Sequence, residues 1–301
     1  MRHFRLFRVL LGALFSFGLL GCGLTRISQE HVSKHWQSIE YANESPSQNL
    51  DVFLPQTGDP PYPTILYIHG GGFMAGNKYG DANAIAQAAL LQGYAFVTID
   101  YRLSGEALFP AAVNDALDAV RFLKANADAH KIDANRIAVW GSSAGGNLAA
   151  MVATKGSAQD GTDVRAAVNW FGPIEFDTMD AQFAQLGLKP KMGKTSSASS
   201  PESKYLGVTV GTDAAAGLVT DANPATYIDS SDPPMFIQHG SADAHIPYLQ
   251  SKNFAAKLAA AIGNENVVFE LLAGAGHGGQ EFENAENTAK IFAWLKQHLD
   301  E

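Results

Sequence analysis

Length, composition and charge limit what this chain can be. Its 301 residues are 46% hydrophobic and 17% charged, which is the composition of an ordinary globular protein long enough for one large α/β domain or two small ones. The net charge is −9, and no run of Lys or Arg offsets it. Because such a chain repels phosphate groups, nucleic acid is excluded as an expected partner.

The first 21 residues have the order of a secretory signal peptide. Arg2, Arg5 and Arg8 form a basic start, and an apolar run over residues 9–20 follows. This run is too short to span a bilayer comfortably. We therefore predict a signal peptide at 1–21, a polar tether at 22–35 and one folded domain at 36–301.

The single cysteine, Cys22, excludes an intrachain disulfide and lies where the leader ends. The sequence Leu19-Leu20-Gly21-Cys22 resembles the lipobox of bacterial lipoproteins. That resemblance implies that Cys22 carries a diacylglycerol. The protein would then be a lipoprotein of the bacterial cell envelope, anchored by its lipid in the outer membrane or facing the periplasm. The alternative is an ordinary secreted protein whose leader contains a cysteine.

Strand and helix patterns alternate through the folded domain. Residues 39–42 and 50–54 predict two antiparallel strands, and the apolar run at 64–68 predicts a strand buried on both faces of a parallel sheet. Further strands are predicted at 95–99, 137–140, 166–170, 235–238 and 267–272. Helices are predicted at 81–92, 110–129, 143–153, 247–261 and 281–299. This alternation predicts an α/β fold with a mostly parallel sheet flanked by helices.

The segment 173–233 interrupts the alternation. It has little periodicity, is rich in serine over residues 194–203 and contains Gly207, Gly211 and Gly217. A segment of that length inside a compact domain is usually functional or disordered. We expect its residues 194–217 to bury little apolar area and to be weakly ordered.

A nucleophile motif follows the strand predicted at 137–140. Gly141-Ser142-Ser143-Ala144-Gly145 fits the pattern G-x-S-x-G and stands between a predicted strand and a predicted helix. That context is what a nucleophile elbow requires, since the tight turn raises the serine hydroxyl above the sheet. Ser143 is therefore the candidate nucleophile.

A glycine-rich loop follows the strand predicted at 64–68. In His69-Gly70-Gly71-Gly72 the missing Cβ atoms allow backbone amides to face a cavity. We predict that the amides of Gly71, Gly72 and Ala144 hold the oxyanion formed when an ester is cleaved. A flexible glycine turn without a chemical role is the alternative.

The candidate base and acid follow the last two predicted strands. His277 lies in a glycine-rich loop after 267–272, and Asp243 follows 235–238. The chain order Ser, Asp, His is that of α/β-hydrolases. His239 and His245 are weaker candidates for the base, because they lie too close to Asp243 in the chain. Glu270 lies inside a predicted strand and Asp232 precedes one, so they and Asp229 are weaker candidates for the acid.

The substrate pocket is harder to predict from the sequence. Phe73 and Met74 follow the glycine loop, and Trp170 and Phe171 end a strand, so all four are candidates to line an acyl or aromatic pocket. Packing in the core is the equally weighted alternative. The histidines lack metal-ligand spacing, and no phosphate loop or dinucleotide fingerprint is present, so we predict neither metal nor cofactor.

Several motifs together resemble a known family. They are the HGGG at 69–72, the DYRL at 100–103, the FPAA at 109–112, the GSSAGG at 141–146 and the GAGHGG at 274–279. Their order resembles hormone-sensitive-lipase-like esterases and, more closely, the bacterial feruloyl and acetyl-xylan esterase branch of the α/β-hydrolases. Gly105-Glu106 departs from the Pro-Glu-His that typical hormone-sensitive-lipase relatives carry. The departure favours the second branch.

The resemblance implies a serine carboxylesterase that forms an acyl-enzyme. Its substrates would be small acyl or aromatic esters, including feruloyl or acetyl groups on polysaccharide. The segment 173–233 would be a mobile cap over the active site, and the alternative is a surface excursion with no part in catalysis. A serine peptidase of the prolyl-oligopeptidase type and a non-catalytic binding protein of the same fold are the alternatives. Arg102 and Asp115 are expected to form a structural ion pair. The sequence leaves the oligomeric state open.

Overall fold

One eight-stranded sheet organises residues 27–300, the part of the chain that the computed structural model describes. The strands are β1 (Val32–Glu40), β2 (Asn49–Pro55), β3 (Tyr62–Ile68), β4 (Ala95–Ile99), β5 (Ile132–Ser142), β6 (Ala166–Trp170), β7 (Met235–Gly240) and β8 (Val267–Leu272). Their order across the sheet is β1-β2-β4-β3-β5-β6-β7-β8. The pairs β1–β2 and β2–β4 are antiparallel, and every other neighbouring pair is parallel.

Helices cover both faces of this sheet. They are α1 (Ala82–Leu91), α2 (Ala111–Ala125), α3 (Ala127–His130), α4 (Ala144–Lys155), α5 (Met179–Leu186), α6 (Pro201–Leu206), α7 (Ala216–Asp221), α8 (Leu249–Ile262), α9 (Gln280–Glu283) and α10 (Ala285–Leu299). Strands β4 and β6 are buried along their whole length, because side chains on both faces of the sheet pack under the helices. The predicted α/β architecture is confirmed. Among residues 27–300, no helix is long and apolar enough to cross a membrane.

The N-terminal boundary differs from the predicted tether at 22–35. Ile27 is buried against the core, and the amide of Ser28 donates to Oδ1 of Asn83 on α1 at 2.8 Å. Strand β1 then begins at Val32. Burial and strand pairing therefore fix residues that polarity alone assigned to a tether. The predicted signal peptide and Cys22 lie outside the described residues.

Two helices predicted as continuous are each divided by an asparagine. The side chain of Asn126 donates back to the carbonyl of Phe122 at 2.8 Å and separates α2 from α3. Asn284 separates α9 from α10, and its side chain caps α10 by accepting the amide of Asn287 at 2.9 Å. Short polar side chains compete with the helical hydrogen bonds in this way.

The segment 173–233 is more ordered than its composition predicts. It contains α5, α6 and α7, and its apolar side chains join the core: Phe176, Tyr205, Leu206, Val210 and Val219. The expectation that residues 194–217 bury little apolar area is wrong, because Tyr205, Leu206 and Val210 are buried in the core. Its serines form hydrogen bonds: Asp180 accepts the amides of Thr195 and Ser196, and the Ser200 hydroxyl donates to the carbonyl of Thr195.

The ion pair expected between Arg102 and Asp115 is present. Asp115 is fully buried on α2 and accepts from the guanidinium of Arg102 at 2.7 Å, from the Arg102 amide at 2.8 Å and from the Gln48 side chain at 2.7 Å. Its carboxylate thus joins the loop after β4, the start of β2 and α2. These contacts hold the scaffold beneath the active site.

Asp115→Ala is expected to destabilise the fold by about 3 kcal/mol, because three donors lose their buried acceptor. The melting temperature in thermal unfolding is the measurement. Asp118→Ala is the matched control on the same helix, since Asp118 pairs with Arg121 at the surface and such pairs contribute at most about 1 kcal/mol. Equal losses in the two variants would contradict the scaffold role of Asp115.

Candidate active site

Ser143 lies in the sharp turn between β5 and α4. Its φ of +54° is unusual for a residue with a side chain and marks a strained turn. The turn requires glycine on both sides. A Cβ on Gly141 would lie 2.0 Å from the carbonyl oxygen of Gly145, and a Cβ on Gly145 would lie 2.0 Å from that of Ile68. The arrangement presents the serine hydroxyl at the carboxyl edge of the sheet.

Three side chains from separate loops meet at this edge. His277 Nε2 lies 2.8 Å from Ser143 Oγ, and His277 Nδ1 lies 2.7 Å from Oδ2 of Asp243. Asp243 follows β7 and His277 follows β8, so the parallel strands bring them together at their carboxyl ends. The structure therefore assembles the three residues that the sequence selected as nucleophile, acid and base.

Asp243 is fully buried, and its carboxylate accepts several hydrogen bonds. Oδ1 accepts the amides of His245 at 2.7 Å and Ile246 at 3.0 Å, while Oδ2 lies 2.7 Å from His277 Nδ1 and 3.1 Å from His239 Nε2. Burial opposes ionisation, but the hydrogen bonds from His239 and His277 outweigh it and hold the pKa of Asp243 well below its usual value. The ionised acid fixes the proton of His277 on Nδ1 and leaves Nε2 free to accept from the serine.

The glycine loop borders the same cavity as Ser143. Gly71 and Gly72 have φ values of +119° and +62°, and a Cβ on Gly71 would lie 1.9 Å from the carbonyl oxygen of Ala75. Within residues 27–300, neither glycine amide donates to another protein group. Ala144, the third predicted donor, is the first residue of α4 and also borders the cavity. First-turn amides have no partner within their helix. The three amides are therefore available to an oxygen of a bound molecule.

Two aromatic side chains contact the base. The ring of Phe171 lies 4.6 Å from that of His277, and the ring of His245 lies 4.7 Å from it. Phe171 has a φ of +43°, a strained backbone that turns its ring toward the site. Sequence reasoning gave Phe171 a pocket role and found no role for His245. Neither contact with His277 has a sequence signal, because both depend on how the loops after β6, β7 and β8 pack.

Asp243, His245 and His277 also bring possible ligand atoms within 4.8 Å of one another. Such spacing would accommodate a metal ion. However, both nitrogens of His277 are engaged, one with Ser143 and the other with Asp243. The donor set therefore fits a proton-transfer chain better than a metal site.

A cavity of about 520 Å³ opens above Ser143. All four predicted pocket residues border it, namely Phe73, Met74, Trp170 and Phe171. The segment 173–233 supplies much of the opposite wall through Met179, Met192, Thr195, Pro201 and Glu202. The segment therefore borders the same cavity as Ser143, which is the position that the sequence predicted for a cap.

The cavity also contains acidic side chains that sequence reasoning did not select. Asp81 accepts a hydrogen bond from Ser142, the neighbour of Ser143, and Tyr67 donates to the same hydroxyl at 3.1 Å. Glu283 borders this end of the cavity, and Glu202 borders the wall formed by α6. No sequence motif predicts these carboxylates, because they lie on separate elements that come together only in the folded protein.

Residues 50–258, more than half of the chain, match the BD-FAE family. The chain belongs to this family. Its predicted relation to α/β-hydrolase esterases is confirmed, and its relatives are carboxylic ester hydrolases. One of them, Esterase LipC of Mycobacterium tuberculosis (strain ATCC 25618 / H37Rv), is 27% identical over 81% of this chain. The chain spans 60% of the length of LipC.

Two solved structures are similar to this BD-FAE chain. A truncated carbohydrate esterase from gut microbiota superposes with a TM-score of 0.81 and 27% identity, covering 92% of this chain and 100% of its own. A bifunctional GH43-CE protein of Bacteroides eggerthii gives a TM-score of 0.76 and 30% identity, covering 88% of this chain and 35% of its own. Both therefore share the overall fold of this BD-FAE chain over most of its length.

Proposed function

We propose that this BD-FAE chain is a serine carboxylesterase that removes small acyl or aromatic groups, acetyl or feruloyl, from carbohydrate. The observation that carries the proposal is the continuous hydrogen-bonded chain from Ser143 through His277 to Asp243. Ser143, where this hydrogen-bonded chain begins, borders the same cavity as Gly71 and Gly72, whose amides donate to no protein group within residues 27–300. Nucleophile, base, orienting acid and oxyanion donors are the four parts that acyl transfer needs.

In the proposed first step, Ser143 Oγ attacks the ester carbonyl carbon while His277 Nε2 takes the hydroxyl proton. The carbonyl oxygen becomes an oxyanion and is held by the amides of Gly71, Gly72 and Ala144. Asp243 stabilises the charged imidazolium without taking its proton. Collapse of the intermediate breaks the bond to the alcohol, which leaves with the proton from His277.

In the second step, water replaces the alcohol. His277 removes a proton from the water, the hydroxide attacks the acyl carbon, and the same amides hold the second oxyanion. The bond to Ser143 Oγ then breaks, Oγ regains a proton from His277, and the carboxylic acid leaves. The strained turn at Ser143 keeps its hydroxyl in one place through both steps.

Two observations support a carbohydrate ester as substrate. The cavity of about 520 Å³ is larger than an acetyl group needs, so it has room for an aromatic acyl group or part of a sugar. In addition, the two structurally similar proteins are named for carbohydrate ester or glycoside chemistry. The mixture of apolar wall and acidic side chains suits a ring that also carries hydroxyl groups.

The purified protein tests the proposal on two pairs of substrates. Hydrolysis of p-nitrophenyl acetate with no release from an aminoacyl p-nitroanilide is the result expected of an esterase. Release of acetate or ferulate from acetylated or feruloylated xylan fragments would identify the acyl group. Cleavage of the anilide in preference to the ester would overturn the proposal in favour of a peptidase.

We also propose that the protein is exported and attached to a membrane by lipid on Cys22. Support comes from the order of basic residues, apolar run and Leu19-Leu20-Gly21-Cys22. A protein carrying several acyl chains would fractionate with membranes without spanning them. Mass spectrometry of the mature N-terminus is the measurement, and an unmodified residue other than Cys22 at that end would contradict the proposal.

A further inference from the structure

Glu202 is a buried carboxyl group that the proposed chemistry does not use. It is 5% exposed and borders the cavity above Ser143. Buried polar groups nearly always have hydrogen-bond partners, because an unpaired one loses its hydration without compensation. A carboxyl group at this position therefore requires an explanation beyond packing.

The hydrogen-bonding capacity of Glu202 is only partly used within the protein. Within residues 27–300, its own amide and the Ser200 hydroxyl are the groups whose hydrogen bonds favour the ionised carboxyl. A hydroxyl has one proton to donate, and that of Ser200 already faces the carbonyl of Thr195 at 2.8 Å. Because Glu202 borders the cavity, its carboxyl oxygens retain acceptor sites for a molecule bound there.

The protonation state of Glu202 adds a donor. Burial is the largest effect on this carboxyl, and together with the charge of Asp180 it raises the pKa of Glu202 to about 7. Near neutral pH a substantial share of the molecules carries the neutral acid, which can donate one hydrogen bond and accept others. Few groups are as well suited to pairing with a hydroxyl.

The element that carries Glu202 is firmly placed. Its neighbour Pro201 packs against the glycine loop after β3, which carries Gly71, Gly72 and Phe73 and is called the oxyanion loop below. A Cβ on Gly72 would lie 3.3 Å from the Cβ of Pro201. Three residues after Glu202, Tyr205 stacks on Phe73 with ring centroids 3.9 Å apart and an interplanar angle of 8°. Because these contacts fix α6 to the oxyanion loop, Glu202 has a set position relative to the reacting carbonyl.

We propose that Glu202 is a specificity residue that hydrogen-bonds a hydroxyl group of the bound ester. This inference rests on the proposed esterase function and names the substrate feature that the cavity selects. The hydroxyl has two possible sources, a phenolic hydroxyl on an aromatic acyl group or a sugar hydroxyl on the alcohol. A site built to bind a hydroxyl rejects the analogue that lacks it, since the protein group is then left buried and unpaired.

The test compares two matched pairs of substrates. The acyl arm uses methyl ferulate and methyl 3,4-dimethoxycinnamate, which differ in the phenolic hydroxyl. The alcohol arm uses an acetylated methyl xyloside and cyclohexyl acetate. In each arm the measured quantity is the discrimination ratio, kcat/KM for the hydroxylated ester divided by kcat/KM for its partner. The arm in which the ratio is large identifies the source of the hydroxyl.

In the wild type, one arm is expected to give a ratio of roughly ten or more, and Glu202→Leu is expected to reduce that ratio by roughly tenfold. Glu202→Gln keeps a donor and an acceptor and is expected to stay within about threefold of wild type. Glu286→Leu, at an exposed glutamate on α10, is the matched control and should leave the ratio unchanged.

Two results would overturn the inference. One is a wild-type ratio near one in both arms, which needs no variant and so stands even if Glu202→Leu fails to fold. The other is a folded Glu202→Leu protein that loses the same factor on both members of each pair, which would indicate a purely structural residue. Failure of the wild type on every ester, p-nitrophenyl acetate included, would instead reject the esterase proposal itself.

Discussion

Ser143→Ala is expected to lower kcat for p-nitrophenyl acetate by about five orders of magnitude or more, as deletion of a triad nucleophile does elsewhere. Without Oγ no acyl-enzyme forms, and the oxyanion donors can only assist direct attack by water. Because the hydroxyl forms its one hydrogen bond within residues 27–300 with His277, the melting temperature should stay within a few degrees of wild type.

Ser142→Ala is the matched control for this variant. Ser142 is the adjacent serine, and its hydroxyl bonds to Asp81 and Tyr67 rather than to the base. Loss of such hydrogen bonds is expected to cost about tenfold or less. A fluorophosphonate probe should label wild type and Ser142→Ala on the peptide that contains Ser143, and should not label Ser143→Ala. Turnover of Ser143→Ala above roughly a thousandth of wild type would reject Ser143 as nucleophile.

Asp243→Asn is expected to reduce kcat by about 10³- to 10⁴-fold while the protein remains folded. The amide would present a donor where the carboxylate now accepts from His277 Nδ1. The imidazole would then carry its proton on Nε2 and could not accept from Ser143. The steady-state kcat at neutral pH is the measurement, with circular dichroism to establish that the fold is retained.

The control for this variant is Asp232→Asn. Asp232 was a competitor for the acid on sequence grounds, but it precedes β7 and bonds to the amide of Asp229 away from the cavity. Its amide variant should keep wild-type kcat. A loss at Asp232 as large as that at Asp243, or a kcat for Asp243→Asn within tenfold of wild type, would show that the acid has been assigned wrongly.

The parts of the site that the sequence predicted are those coded by contiguous motifs. A tight turn with glycines on both sides has a local signature, so Ser143 and its surroundings could be recognised without the fold. The loops after β7 and β8 could also be assigned, because parallel strands end at one edge. Glu202 and the contact of Phe171 with His277 had no local signature, since each depends on elements that are distant in the chain.

The fold, like the site, was predicted well where the sequence signal is local and poorly where it depends on distant contacts. Strands β4, β6 and β8 match their predicted bounds, because strongly apolar runs flanked by breaks are visible in the sequence. The segment 173–233 was misjudged because composition does not show where side chains go. Several of its apolar side chains reach the core, and its serines form hydrogen bonds within the segment, among them Ser196 with Asp180 and Ser197 with Ser199. The N-terminal residues around Ile27 were misjudged for the same reason.

The contacts between α6 and the oxyanion loop bear on how this enzyme can evolve. Pro201 lies against Gly72, and Tyr205 stacks on Phe73. The cavity wall that carries Glu202 and the amides proposed to hold the oxyanion are therefore packed together as one unit. Substitutions that reshape α6 will also displace those amides, and new substrates gained there will carry a loss of turnover. Met192 borders the same cavity outside α6 and is half exposed. In directed evolution for new esters, productive changes should therefore accumulate around Met192 before they reach α6.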